Sequence, residues 1–197
     1  HLSQDYIKRT SVNLTNVKVN GKQGQKPHIY NLSNFSLSYG YNNIFQRDPN
    51  TVFRTTITHT ASFFYNYNAT PKIVEPLKNV KLFKKKAFQI LRDFNFYYLP
   101  SQLSFRTNLN RQYGETQIRN VYDPSYSLPI SVIKDFTIIR QYDFKYNFSK
   151  NLKFEYTATN NARIDEPEGR LYKGDPEYEQ KMDSIWKNFK TFGRNTS

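Results

Sequence analysis

The chain has 197 residues, 37% of them apolar, with 29 Lys and Arg against 16 Asp and Glu, a formal charge of +13. No run of about eighteen apolar residues occurs, which excludes a membrane-spanning helix and leaves membrane strands open; the lack of cysteine excludes a disulfide framework, a thiol nucleophile and a Cys-based zinc site. Sixteen Tyr and sixteen Phe argue against disorder, because so many rings have surface to bury, and a start at His1 reads as a mature, tagged or excised chain.

Val12, Leu14, Val17 and Val19 read as a first, weakly patterned strand. Phe35, Leu37, Tyr39 and Tyr41 then alternate with Ser36, Ser38 and Gly40, the period of two that sends successive side chains to opposite faces. A turn over residues 46–50 contains Asp48-Pro49. Beyond it Phe53, Ile57, His59, Phe63, Tyr65 and Tyr67 occupy odd positions, and Arg54, Thr56, Thr58, Thr60 and Asn66 even ones. These two segments are predicted to form a hairpin.

Further along, Phe83, Ala87, Ile90, Leu91 and Phe94 recur at helical spacing beside Lys84, Lys85 and Lys86, predicting a short basic amphipathic helix. Phe94, Phe96 and Tyr98 lead to Pro100, after which the apolar set shifts to Leu103, Phe105 and Leu109. Proline cannot donate to a central ladder, so a bulge or a tight turn is expected there. A long connection follows, over about 112–133. A second hairpin is predicted from Phe136, Ile138, Tyr142, Phe144, Tyr146 and Phe148, continued after Ser149-Lys150-Asn151 by Leu152, Phe154, Tyr156 and Ala158. Arg140 interrupts this stripe, at a rim or by snorkelling. Finally, Asp175 as N-cap, Pro176, and Tyr178, Met182, Ile185, Trp186 and Phe189 before Gly193 predict a helix. The expected organisation is one segment over 1–197, strand-rich over 8–164 with a helical connection over 165–193.

Alternation held for about thirteen to fifteen residues is roughly 45 Å of strand at about 3.3 Å per residue, against the about five or six residues usual in soluble sheets. Such strands, aromatic on one side and Thr, Ser, Asn or Lys on the other, suit a tilted barrel wall, with Phe63, Tyr65, Tyr67, Tyr97 and Tyr98 as interfacial girdles. About six strands fall short of the about eight of the smallest closed barrels, and open edges are not tolerated in lipid. The predicted fold is therefore all-β, an antiparallel section of a large transmembrane β-barrel with one or two short amphipathic helices in its connections. Phe136, Ile138, Tyr142, Phe144, Tyr146, Phe148, Phe154 and Tyr156 are predicted to face lipid; Arg54, Thr56, Thr58, Thr60, Gln141, Asp143 and Lys145 are predicted to face the lumen. The last helix would cover a barrel rim or lie inside the lumen.

The run from Arg92 to Arg111, containing FNFYYLPSQLSFRTNLNR, resembles the SprA/Sov family, very large outer-membrane proteins of the type IX secretion system in Bacteroidetes that are also linked to gliding motility. Residues 34–43 (NFSLSYGYNN) and 174–193, from Gly-Asp-Pro-Glu-Tyr to Gly193, are similar too, so the resemblance covers most of the chain from about Ser33. It implies a wall segment of a protein-conducting channel that exports folded cargo bearing C-terminal sorting domains. It also implies a smaller PorV-type barrel subunit and a periplasmic plug protein as partners. Within the motif, Phe94, Phe96, Tyr98, Pro100, Phe105, Arg106 and Arg111 are expected in the barrel wall, in the outer membrane. The family's barrel has about 36 strands, of which this chain holds a minor fraction.

No enzyme chemistry, cofactor or metal is expected. Three histidines stand at no ligand spacing, Asp165-Glu166 and Glu177/Glu179 sit in a loop and at a helix start, and no phosphate-binding glycine loop occurs. The alternatives are a soluble β-sandwich for adhesion or carbohydrate binding, and a single-strand nucleic-acid platform with Lys81, Lys84, Lys85 and Lys86 on phosphates. Nucleic acid is disfavoured, because the rings form one continuous stripe rather than two or three exposed platforms. The lysine cluster reads more simply as a helix face touching anionic headgroups.

Overall fold

Alternating aromatic and polar side chains build one large antiparallel sheet. The computed structural model describes residues 4–21, 24, 28–78, 80 and 93–195. Strands β1 (Tyr6–Val17), β2 (Phe35–Arg47) and β3 (Thr51–Asn68) lie side by side. The chain then leaves the sheet to form a two-stranded ribbon, β4 (Ile73–Val74) with β5 (Phe96–Tyr97), and returns as β6 (Gln102–Ile118), β7 (Ser131–Asn147) and β8 (Lys153–Arg163). Helix α1 (Tyr178–Lys190) follows, and a two-residue β9 (Arg194–Asn195) pairs with the end of β8, giving the order β1-β2-β3-β6-β7-β8-β9. The sheet is not closed into a barrel. Among the described residues β1 pairs only with β2, and the outer side of β8 is paired only at Ala162 and Arg163.

The turns follow from local chemistry. Asp48 Oδ1 accepts the N–H groups of Asn50 (2.9 Å) and Thr51 (2.8 Å), a side-chain turn that closes β2 onto β3. Ser149 Oγ does the same for Asn151 and Leu152 between β7 and β8. Both predicted hairpins form in the register their apolar parity requires, Tyr39 opposite Ala61 and Phe144 opposite Tyr156.

Three expectations are corrected. The connection over 112–133 is only 119–130, because Gln112 to Thr116 pair with Ser131 to Asp135 and lengthen β6 and β7 to 17 residues each. Pro100 stands in a bend between β5 and β6, so it marks a turn. Consequently Phe94, Phe96, Tyr98 and Pro100 are not in the wall: Phe96 pairs with Val74, and the Tyr97 N–H reaches Phe148 O (3.4 Å), which holds the ribbon against the β7–β8 turn. Finally, 165–193 is helical only over α1, which begins after Glu177 rather than at Asp175, because Asp175 to Glu177 form a separate turn with Tyr178 N–H on Asp175 O (3.0 Å). The helix expected from Phe83 to Phe94 lies, apart from its last two residues, outside those described.

α1 lies on the aromatic face of the sheet. Ile185 packs with Phe136, Ile138 and Ile164, and Leu109, Leu171, Met182 and Phe189 close around them. The helix ends through Phe192 and Gly193, both at positive φ (61° and 70°), with the Gly193 N–H on Asn188 O (3.1 Å). A side chain at 193 would stand 2.6 Å from the Arg163 carbonyl oxygen, so only glycine admits this approach to β8. The apolar residues buried here are few: Tyr65, Tyr67, Phe136, Ile138, Ala162, Ile164 and Ile185. The accessible surface is 14788 Å², where a compact monomer of 23.5 kDa exposes about 9,800 Å². Among the described residues, few of the rings are therefore fully buried.

Candidate functional site: a sheet with two unlike faces

Register places the side chains of each face in rows across the strands. On one face Leu14, Tyr39, Ala61, Leu109, Ile138 and Ala162 form a row. Successive rows toward the β7–β8 turn carry Leu37, Phe63, Thr107, Arg140 and Asn160; then Phe35, Tyr65, Phe105, Tyr142 and Ala158; then Tyr67, Leu103, Phe144 and Tyr156. Ring contacts tie these rows together, Phe63 to Phe105 (6.1 Å between centroids) and Phe105 to Tyr142 (5.1 Å) among them. The opposite face carries Arg54, Thr56, Thr58 and Thr60 on β3 with Gln141, Asp143 and Lys145 on β7, the whole set expected on one side. Polar side chains pair across it: Ser62 Oγ donates to Asn108 Oδ1 (2.9 Å), and Asp143 accepts from Ser104 (3.0 Å) and Thr157 (3.3 Å). Ile7, Ile44, Phe64, Ile133 and Ile139 interrupt its polarity.

The aromatic face is divided along its length. In the direction of Ile118 and Ser131 it becomes charged, and the segment 164–177 covers it. Arg111 pairs with Glu166 there, Arg170 grips Glu115 at 3.1 and 2.9 Å, and the Lys134 ammonium donates to Pro167 O. Toward the β7–β8 turn the face is ring-bearing and free of charge beyond Arg140, whose guanidinium donates to Asn160 Oδ1 and lies 5.1 Å from the centre of the Phe192 ring. Arg140 thus stands at the border between the two halves of this face.

Phe136 and Ile138 are corrected as lipid-facing residues, since α1 buries both. Tyr142, Phe144, Phe154 and Tyr156 remain on the open part of this face, while the Tyr146 hydroxyl donates to Tyr97 O and Phe148 lies edge-on to Tyr146 in the turn. Of the proposed girdles, Tyr65 and Tyr67 are buried instead: the Tyr65 hydroxyl donates to Ile29 O (2.7 Å), and Tyr67 lines a depression with Pro71 and Leu99. The motif residues divide too, with Phe105 and Arg111 on the aromatic face and Arg106 on the polar one, its guanidinium 4.7 Å from the centre of the Phe64 ring. α1 sits on the aromatic face, not on the polar one that would line a lumen. Between α1 and the sheet a cavity of about 310 Å³ is lined by Tyr39, His59, Ala61, Met182 and Trp186, with Tyr39 Oη and His59 Nδ1 sharing a hydrogen bond of 2.9 Å.

Among the described residues no cluster of three metal-capable side chains occurs, and no helix is long and apolar enough to cross a membrane, which says nothing of strands. No family model matches the chain, and no curated protein does.

Proposed function

We propose that the chain is a section of an outer-membrane barrel wall, lipid on its ring-bearing face and water on its polar face, in a channel that exports folded proteins. What supports the wall most is the shape of the uncovered apolar band. Segments 28–34, 69–72 and 98–101 overlie the band's edge on β3, and α1 overlies it on β6 and β7. The rings and aliphatic chains left open include Tyr6, Val12, Leu14 and Val17 on β1, Leu37 and Tyr39 on β2, Tyr142 on β7 and Phe154 and Tyr156 on β8, with Phe63 and Phe105 half-buried between them.

From the row of Leu14 to that of Tyr156 is six residues, the Ile138-to-Phe144 step on β7. That is about 20 Å along the strands against about 24 Å across five strand spacings, at about 3.3 Å per residue and about 4.8 Å between strands. The line from Leu14 to Tyr156 slopes by about 40°, within the range of tilts at which barrel strands cross a bilayer. Strands of 17 and 18 residues exceed the about ten needed to cross, and the surplus is the charged half that 164–177 covers in water.

The channel itself rests on the likeness of the Arg92–Arg111 run to the SprA/Sov family, and its partners would then be the rest of the barrel, a PorV-type subunit, a plug protein and cargo with sorting domains. A wide polar lumen excludes by size and needs no catalytic group. Single cysteines at Gln141 and Asp143, in a chain with no native cysteine, test this: they should form disulfides with arrested cargo, and cysteines at Tyr142 and Tyr156 should not. Equal capture from both faces, or from neither, contradicts the reading.

A further inference from the structure

We infer that the C-terminal turn of α1 is an interfacial anchor, mounted outside the sheet, that seats on the anionic headgroup layer of a bilayer and fixes where the water–lipid boundary crosses the wall. This rests on the barrel-wall reading. Trp186 and Phe192 are 54% and 61% exposed although both belong to the covering layer of the sheet. Trp186 lies edge-on to Phe189 (5.8 Å) and faces the open band at Tyr39 and Ala61. Phe192 borders the band at its other end, beside Arg140, Tyr142 and Tyr156.

Phe192 holds a left-handed backbone (φ 61°), a conformation costly for a bulky residue, and the neighbouring Gly193 requires it to reach β8. Exposed cations stand beside them: Lys187 and Lys190 on the last turn of α1, and Arg194 on β9, which is paired with Asp165 at 3.2 Å. Rings at the level of the headgroups with lysines and arginine beside them are the composition of a membrane interface, rings among glycerol groups and cations on phosphates. The spacing agrees. From the row of Ile138, beneath α1, to that of Phe144 and Tyr156 is about 20 Å along the strand, or about 15 Å of depth at a 40° tilt, half of a hydrocarbon core of about 30 Å. With the Ile185–Trp186 level of α1 at one boundary, the row of Phe144 and Tyr156 falls near the bilayer centre, and Phe192, beside Tyr142 and Tyr156, lies between the two.

Trp186 is the only tryptophan, so its fluorescence reports this position alone. The chain is reconstituted within the complete barrel, any tryptophan outside these 197 residues being replaced by Phe, in bilayers containing anionic phospholipid, with bromine placed either near the headgroup or near the end of the acyl chain. A second protein, Trp186→Phe with Tyr156→Trp, reports the wall. Trp186 should be quenched at least threefold more by the shallow bromine, and the tryptophan at 156 more by the deep one. Replacing Lys187, Lys190 and Arg194 with Gln should halve the shallow quenching of Trp186 or more and leave position 156 unchanged. Deep quenching at 156 with none at Trp186, or insensitivity of Trp186 to the three substitutions, overturns the anchor and leaves the wall standing. No quenching at either position overturns both.

Discussion

Arg111 on β6 and Glu166 beyond β8 meet in a two-point ion pair, Nε to Oε1 at 2.6 Å and Nη2 to Oε2 at 2.8 Å, with the Glu166 side chain 2% exposed. The pair fastens the irregular segment after β8 to the middle of the sheet and so sets where α1 begins. Among the described residues, that guanidinium supplies the hydrogen bonds to this enclosed carboxylate. Glu166→Gln is expected to cost about 3 kcal/mol, the low end for breaking a buried pair because Arg111 is a quarter exposed. The check is chemical denaturation followed by Trp186 fluorescence; a change under about 1 kcal/mol, the worth of a surface pair, contradicts it.

Ile185 is the residue through which α1 holds the sheet, 5% exposed against Phe136, Ile138 and Ile164. Ile185→Ala should cost about 3 kcal/mol, the usual loss for a buried aliphatic truncation. It should also make Trp186 more accessible to iodide, because Trp186, the next residue along the helix, lines the same cavity between α1 and the sheet. Unchanged iodide quenching would show that α1 is held elsewhere.

Gly193 and Gly169 both have positive φ, 70° and 79°, but a side chain at 193 meets the Arg163 carbonyl whereas nothing lies within 4 Å at 169. Gly169→Ala should therefore cost only the backbone term, about 1 kcal/mol. Gly193→Ala should cost clearly more and free the end of α1. Equal costs, read by thermal unfolding, contradict the close approach of the helix end to β8.

Parity made the two faces of the proposed wall legible in the sequence. Side chains two apart share a face whatever the partner strand, so the even set on β7 and the odd set on β3 needed no knowledge of topology. The cover over that wall was not legible. Glu166 stands in an acidic dipeptide that looks solvated until β6 brings Arg111, 55 residues away, beneath it. Ile138 reads as one more member of an apolar stripe, and only the amphipathic pattern of α1 hinted that something would lie on such a face. The Gln112–Thr116 stretch looked like loop because its polar side chains hide the ladder formed with Ser131 to Asp135. FNFYY broke off from the wall because β5 finds Ile73 and Val74, a partner too short to announce itself.

Glu75 accepts from Lys150 (2.6 Å) and Lys78 (2.5 Å), linking the ribbon to the β7–β8 turn. The hydrogen bond from Lys150 first, then that from Lys78, holds its carboxyl down at about 2, from an ordinary 4.5. A depressed carboxyl favours the fold fully above pH 4.5, and that contribution disappears as the pH falls through 2. Carbon-detected NMR of the Glu75 carboxyl should show a midpoint near 2 that rises toward 4.5 in Lys150→Met. A midpoint already near 4.5 in the unaltered chain contradicts the tie.

Spin labels placed singly at 141, 142, 143, 144 and 145 along β7, in the complete barrel reconstituted in bilayers, test most directly whether lipid wets the ring-bearing face. Tyr142 and Phe144 positions should collide with oxygen dissolved in the hydrocarbon, and Gln141, Asp143 and Lys145 positions with a water-soluble nickel chelate, alternating residue by residue. Collision with the nickel chelate at all five positions, without alternation, would place both faces in water and contradict a membrane wall.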